Sequence, residues 1–199
     1  MTIRRKVIMK KIKISDVLGK RLAGATKAQN DFPKLILELI KAQKGEIFVL
    51  DFSGVESITA SYWNNIIQPL LNFTADAERD LFPIFCNIVD EPLEELKLTL
   101  DHRRIAILVS TEKNGILRNL ELIGSIDNAH VETFNLVNTL GEVGASDIIS
   151  QVKFELNEGM PSSSGWNNRL ATLYQMRLIR RTKKGRSYKY KPIVEEKNG

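Results

Sequence analysis

The sequence predicts an α/β domain, a sheet flanked by helices, followed by a small domain of three helices and a β-hairpin. Three observations predict it. Short apolar, strand-like runs alternate with helical periodicities as far as about residue 127. Beyond that point the pattern changes to short helices with little strand. Near its end the chain carries Arg177, Arg180, Arg181, Lys183, Lys184, Arg186, Lys189 and Lys191 with no acid among them, interleaved with apolar and aromatic residues.

Residues 1–9 read as a loose basic leader, and residues 10–17 alternate weakly as the start of a strand. Asn30, Asp31 and Pro33 read as a helix opening, because small polar residues cap and proline fits a first turn. Phe32, Leu35, Ile36, Leu39 and Ile40 then keep helical spacing, and Gly45 stops the helix. Residues 46–50 form a buried-strand candidate, closed by the turn signal Asp51-Phe52-Ser53-Gly54. Trp63, Ile66, Ile67, Leu70 and Leu71 mark a second amphipathic helix, and residues 81–89 another strand. Asp90, Glu91 and Pro92 open a third helix carrying Leu93, Leu96 and Leu100. Residues 104–109 read as a strand, and Asn114-Gly115 as a tight turn into a last strand over 116–122.

The second pattern starts with a helix over 131–140, with Phe134, Val137 and Leu140 in phase and Gly141 ending it. A helix over 145–154, a polar turn over 155–161 and a helix over 162–176 follow. Strands over 178–182 and 188–193 join across Lys183-Lys184-Gly185-Arg186. The domains expected are 10–127 and 128–194.

Charge follows this division. Residues 1–128 hold 18 basic and 17 acidic side chains, whereas residues 129–199 hold 11 and 7. A bare run of cations is usually a solvated tail; interleaving with apolar residues makes this one part of a folded surface. No apolar run approaches the ~20 residues of a membrane span, and the basic residues 1–13 lack the apolar core of a signal peptide. A single cysteine, Cys86, fits a reducing compartment, so a cytoplasmic location is expected.

The stretch from Ser162 begins with a hydroxyl residue suited to capping, then sets Ser163, Ser164, Trp166, Asn167, Asn168 and Arg169 in the first turns of a helix. Leu170 and Leu173 face inward. The run Arg169-Leu170, Leu173, Leu178-Ile179, Arg180, Gly185-Arg186, Tyr188 and Tyr190 resembles the recognition helix and wing of bacterial winged helix-turn-helix regulators, over roughly the last 65 residues. That resemblance implies double-stranded DNA as partner and a homodimer on two-fold operators. Asn167, Asn168 and Arg169 are then the base-reading candidates, flanked by Ser163 and Ser164. Arg180, Lys183, Lys184, Arg186 and Lys189 are the phosphate-contact candidates. The polar turn over 155–161 is longer than usual for this family, and Trp166 is unusual on a groove-facing helix. Both leave a protein partner open for this end, with Trp166 as core and Arg169 paired to an acid.

In the first domain, Asp51-Phe52-Ser53-Gly54-Val55 ends a strand and Thr59-Ala60-Ser61 opens a helix. This resembles the STAS-like family, related to the anti-sigma-factor antagonists, over about residues 10–109. The resemblance implies signal or partner sensing, with a kinase or ATPase of the histidine-kinase-like fold as a possible partner. It also carries a regulatory phosphosite over to Ser61. Thr59 stands where the family has an acid, Ala60 where it has the first serine and Tyr62 where it has glycine. Thr59 or Ser61 as a plain helix cap is the competing reading.

Enzyme chemistry finds no support. His102 and His130 have no ligand-like spacing with Cys86, so no metal is expected. A phosphate-binding glycine loop, a Gly-x-Ser-x-Gly elbow and a nucleophile–base set are absent from the sequence. The expectation is a non-enzymatic regulator without cofactor: a STAS-like α/β domain followed by a winged helix-turn-helix domain.

Overall fold

The computed structural model describes residues 9–152 and 161–194. The chain divides into two compact units, Met1–Ser125 and Ile126–Gly199.

The first unit runs β1 (Met9–Lys13), α1 (Ile14–Val17), β2 (Arg21–Leu22), α2 (Ala25–Leu39), β3 (Ile47–Asp51), β4 (Ser57–Ile58), α3 (Ala60–Ala75), β5 (Phe82–Cys86), α4 (Asp90–Arg103), β6 (Ala106–Lys113) and β7 (Ile116–Gly124). Five strands form one sheet in the order β1-β3-β5-β6-β7. Neighbours are parallel except the β6–β7 hairpin. Every residue of β3 and β5 is buried, as in the interior strands of parallel sheets. The order advances in one direction, so right-handed crossovers carry α2, α3 and α4 to the same face. There Leu35, Leu39, Trp63, Ile67, Leu96 and Leu100 pack with Phe48, Leu50, Phe85 and Ile107 into one core.

Two expectations are corrected, and one pairing was not foreseen. The first strand ends at Lys13, and Ile14–Val17 is a turn of helix. Helix α2 starts at Ala25, after Gly24 at φ 84, not at the Asn30–Asp31–Pro33 cluster. Asp31 is buried in mid-helix, and exposed Pro33 leaves only the carbonyl of exposed Gln29 without its helical donor, on the water side. The tiny parallel pair β2–β4 had no sequence signal at all.

Other elements match closely. The β6–β7 turn is Asn114 (φ 54) and Gly115 (φ 77), the double positive φ of a type I′ turn. β6 begins two residues later than expected because Arg104, at φ 55, closes α4 in the left-handed region. Gly124 closes the opposite end of β7. At φ 99, a Cβ there would lie 2.2 Å from the carbonyl oxygen of Ile105.

The second unit comprises α5 (Asn128–Leu140), α6 (Ala145–Val152), α7 (Ser163–Gln175), β8 (Ile179–Lys184) and β9 (Ser187–Pro192). Asp127 caps α5 by accepting from the His130 amide at 2.9 Å. α7 packs on both α5 and α6, and its Trp166, Leu170 and Leu173 are buried with Phe134, Val137 and Ile148. β8 and β9 pair from Ile179↔Pro192 to Lys184↔Ser187 around Gly185-Arg186, so Lys183 and Lys184 are strand residues rather than turn residues. Val143 exchanges two hydrogen bonds with Tyr190, of 2.8 and 2.7 Å, adding a third strand position between α5 and α6. The leader up to residue 8, residues 153–154 of the expected second helix, and residues 155–160 of the polar turn lie outside the described residues. Among the described residues, no helix is long and apolar enough to cross a membrane.

Candidate nucleic-acid interface

Helix α7 is built at its start by Ser162, whose Oγ accepts from the Gly165 amide at 3.2 Å and lies 2.8 Å from the Ser164 hydroxyl. Buried positions 166, 170 and 173 define the inner face. By the 3.6-residue repeat, the arc from 163 through 167 and 164 to 168 runs from the flank of that face to the side opposite it. Ser163, Ser164, Asn167 and Asn168 are all exposed on it. Arg169 does not join them. It is half-buried, with its guanidinium 5.2 Å from the Trp166 ring centroid. Trp166 itself is core, 4% exposed, so the unusual tryptophan does not face outward.

The hairpin sorts its cations by strand alternation. Arg181 lies on the face of Tyr188 and Tyr190, with its guanidinium 4.0 Å from the Tyr174 ring and 4.1 Å from the Tyr188 ring. Lys184 and Lys189 lie on the other face and are tied internally. Lys184 pairs with Glu142, which also accepts from the Thr182 hydroxyl at 3.1 Å. Lys189 donates to Asp147 at 2.5 Å, and Asp147 accepts from the Gly144 amide at 2.6 Å. The Lys184 hydrogen bond holds the Glu142 carboxyl below the usual range, and the Lys189 bond does the same for Asp147. Lys183 and Arg186 are exposed at the tip and make no ion pair with a described residue, whereas Arg180 is half-buried and partnered. Glu142 and Asp147 escaped sequence reasoning. Each pairs across 42 residues, and nothing local in either stretch announces it.

In the first unit, Thr59 is the cap of α3: its Oγ1 accepts from the Tyr62 amide at 3.3 Å and from the Gly24 amide at 3.2 Å. Ser61 is therefore not the cap, and its side chain is exposed in the first helical turn. Tyr62 and Trp63 point into the core. The Tyr62 hydroxyl donates to Asp31 at 3.0 Å, and Trp63 Nε1 donates to the Pro92 carbonyl at 3.1 Å, joining α3 to α2 and α4.

Asp51 and Ser53 act as turn-formers. Asp51 accepts from the Ser53 amide at 3.0 Å and hydroxyl at 2.9 Å, from Asn87 Nδ2 at 2.7 Å and from Lys11 at 2.8 Å. Burial pushes its carboxyl up, but these donors outweigh it and hold it below the usual range. Beyond the end of β5, Asn87, Leu93, Ser110, Asn119 and Glu121 line a cleft of about 170 Å³. The cleft sits at the register shift between Val109 and Thr111, as bulges often border binding sites. Cys86 is fully buried, and burial pushes its thiol up to about 12, away from the thiolate form. Among the described residues, no group of three His, Cys, Asp or Glu could hold a metal.

No protein-family model matches this chain, and no curated protein matches it.

Proposed function

We propose that this protein is a DNA-binding regulator in which the second unit is a winged helix-turn-helix domain and the first is a STAS-like domain that receives a signal or partner. The order supports the first assignment: helix, bridged strand position, helix, helix, then a two-stranded wing. The observation that carries it is α7, which turns an uncharged hydrogen-bonding stripe of Ser163, Ser164, Asn167 and Asn168 to solvent. The same unit holds a hairpin tip with exposed Lys183 and Arg186. A helix of that kind fits the major groove, and the tip cations suit phosphate. A parallel sheet order carried by three same-side helices, with the Asp51–Ser53 turn at a strand end, supports the STAS-like reading. The protein acts without catalysis or cofactor, and binds as a homodimer on a two-fold site.

Fluorescence-anisotropy titration of the full chain with duplex DNA tests this reading. Micromolar or tighter binding at low salt, falling steeply as salt rises, is the expected result. Absence of binding to any duplex at 50 mM salt overturns it.

One observation favours a second reading, a protein-interaction switch that binds a histidine-kinase-like ATPase and uses the wing for docking. Because Thr59 takes the cap, the Ser61 hydroxyl is left exposed and makes no hydrogen bond with a described residue. Phosphate there would lie against the first-turn amides of α3. Mass spectrometry after incubation with a kinase encoded nearby distinguishes it: phosphate on Ser61 supports the switch, and an unmodified Ser61 opposes it.

A further inference from the structure

We infer that α7 reads adenine, with Asn167 and Asn168 selecting A·T pairs in the major groove and no residue of the helix selecting guanine. The inference rests on the DNA-binding reading above and concerns which bases the site accepts. The exposed stripe of α7 is Ser163, Ser164, Asn167 and Asn168, with Gln175 exposed further along; it contains no lysine, arginine or acid. Neither asparagine side chain is engaged with a described residue, so both amides are available.

Arg169, the one side chain of α7 built for guanine, is turned away. At 100° per residue it stands about 170° round the helix from the middle of the stripe. Its guanidinium is placed against the Trp166 ring. Bringing it to a base edge would break that contact.

The chemistry then discriminates. Adenine shows an N7 acceptor beside an N6 donor, and a carboxamide meets both with one N–H and its oxygen. Guanine shows two acceptors, N7 and O6, which suit the paired donors of arginine or lysine. An asparagine placed there sets its oxygen against an acceptor and leaves one bond unmade. Ser163 and Ser164 offer single bonds that either base accepts. The charge needed for affinity comes from the hairpin, through Lys183 and Arg186, and carries no sequence information. Base choice and salt dependence therefore lie on separate elements.

Selection from a randomised duplex pool with the full chain, followed by anisotropy titrations, tests this. The recovered site should hold adenine at the positions where α7 docks, and guanine there should weaken binding by about 5- to 150-fold. The double substitution Asn167→Ala, Asn168→Ala should erase that adenine preference. It should leave the slope of log K against log salt and the thermal melting point unchanged, because both side chains are exposed. Recovered sites specified by guanine, or an adenine preference that survives the double substitution, overturn the inference while the DNA reading stands. Failure of every duplex to bind overturns both.

Discussion

The guanidinium of Arg181 lies 4.0 Å from the ring centroid of Tyr174, which fastens the hairpin to helix α7. Tyr188 closes on the same cation from strand β9 at 4.1 Å. A planar cation suits this stack; an ammonium does not. Tyr174→Leu keeps an apolar side chain but removes the ring quadrupole. A loss of about 0.5–2 kcal/mol in urea denaturation is expected, with faster amide exchange in β8. Arg181→Lys should act in the same direction. Unchanged midpoints in both variants would show that the stack does not fasten the hairpin.

The wing cations should not be equivalent. Lys183→Ala and Arg186→Ala should each lower the slope of log K against log salt by about 0.9, uniformly across sequences. Lys184→Ala and Lys189→Ala should change it less, because Glu142 and Asp147 already serve as their counter-charges. Equal slopes for all four variants would contradict the internal pairing.

Acid should loosen the second unit through Asp147. The Lys189 hydrogen bond, then the Gly144 amide, hold its folded pKa below the ordinary carboxylate value of about 3.9. A depressed folded pKa stabilises fully above the unfolded value and is lost as pH falls through the folded one. Asp147→Asn should therefore lower stability near neutral pH and flatten the decline below about pH 4. Urea midpoints for both proteins from pH 2 to 7 measure it.

Tyr62→Phe probes the buried junction of α2 and α3. Asp31 is 1% exposed and accepts from the Tyr62 hydroxyl, from Lys27 at 2.7 Å and from Lys34 at 2.9 Å. Removing the hydroxyl leaves one buried carboxylate acceptor position without its donor there, at about 1–3 kcal/mol. A urea midpoint unchanged from wild type would contradict this account.

Legibility in the sequence followed the range of each interaction. The capped start of α7, its Leu170 and Leu173 face and the Asn114-Gly115 turn depend on residues within a few positions of one another, so local pattern sufficed. The start of α2 was misread because Asn30, Asp31 and Pro33 resemble an opening. What decides their place is Tyr62, 31 residues away, which gives Asp31 a buried partner in mid-helix. The candidate interface was partly legible. Ser163, Ser164, Asn167 and Asn168 emerged together, but Arg169 was grouped with them although it faces Trp166.

By itself, the sequence determined the alternation of strands and helices, the change of pattern near residue 127 and the basic end of the chain. These are carried by periodicity, turn chemistry and composition, which need no fold to be seen. Only the tertiary structure decided which cations of that basic end are available. Eight basic side chains look alike along the chain, but strand alternation sends Arg181 between Tyr174 and Tyr188. It sends Lys184 and Lys189 to carboxylates 42 residues away, and leaves Lys183 and Arg186 exposed. Charge is written in the sequence; the counter-charge that neutralises it is set by packing.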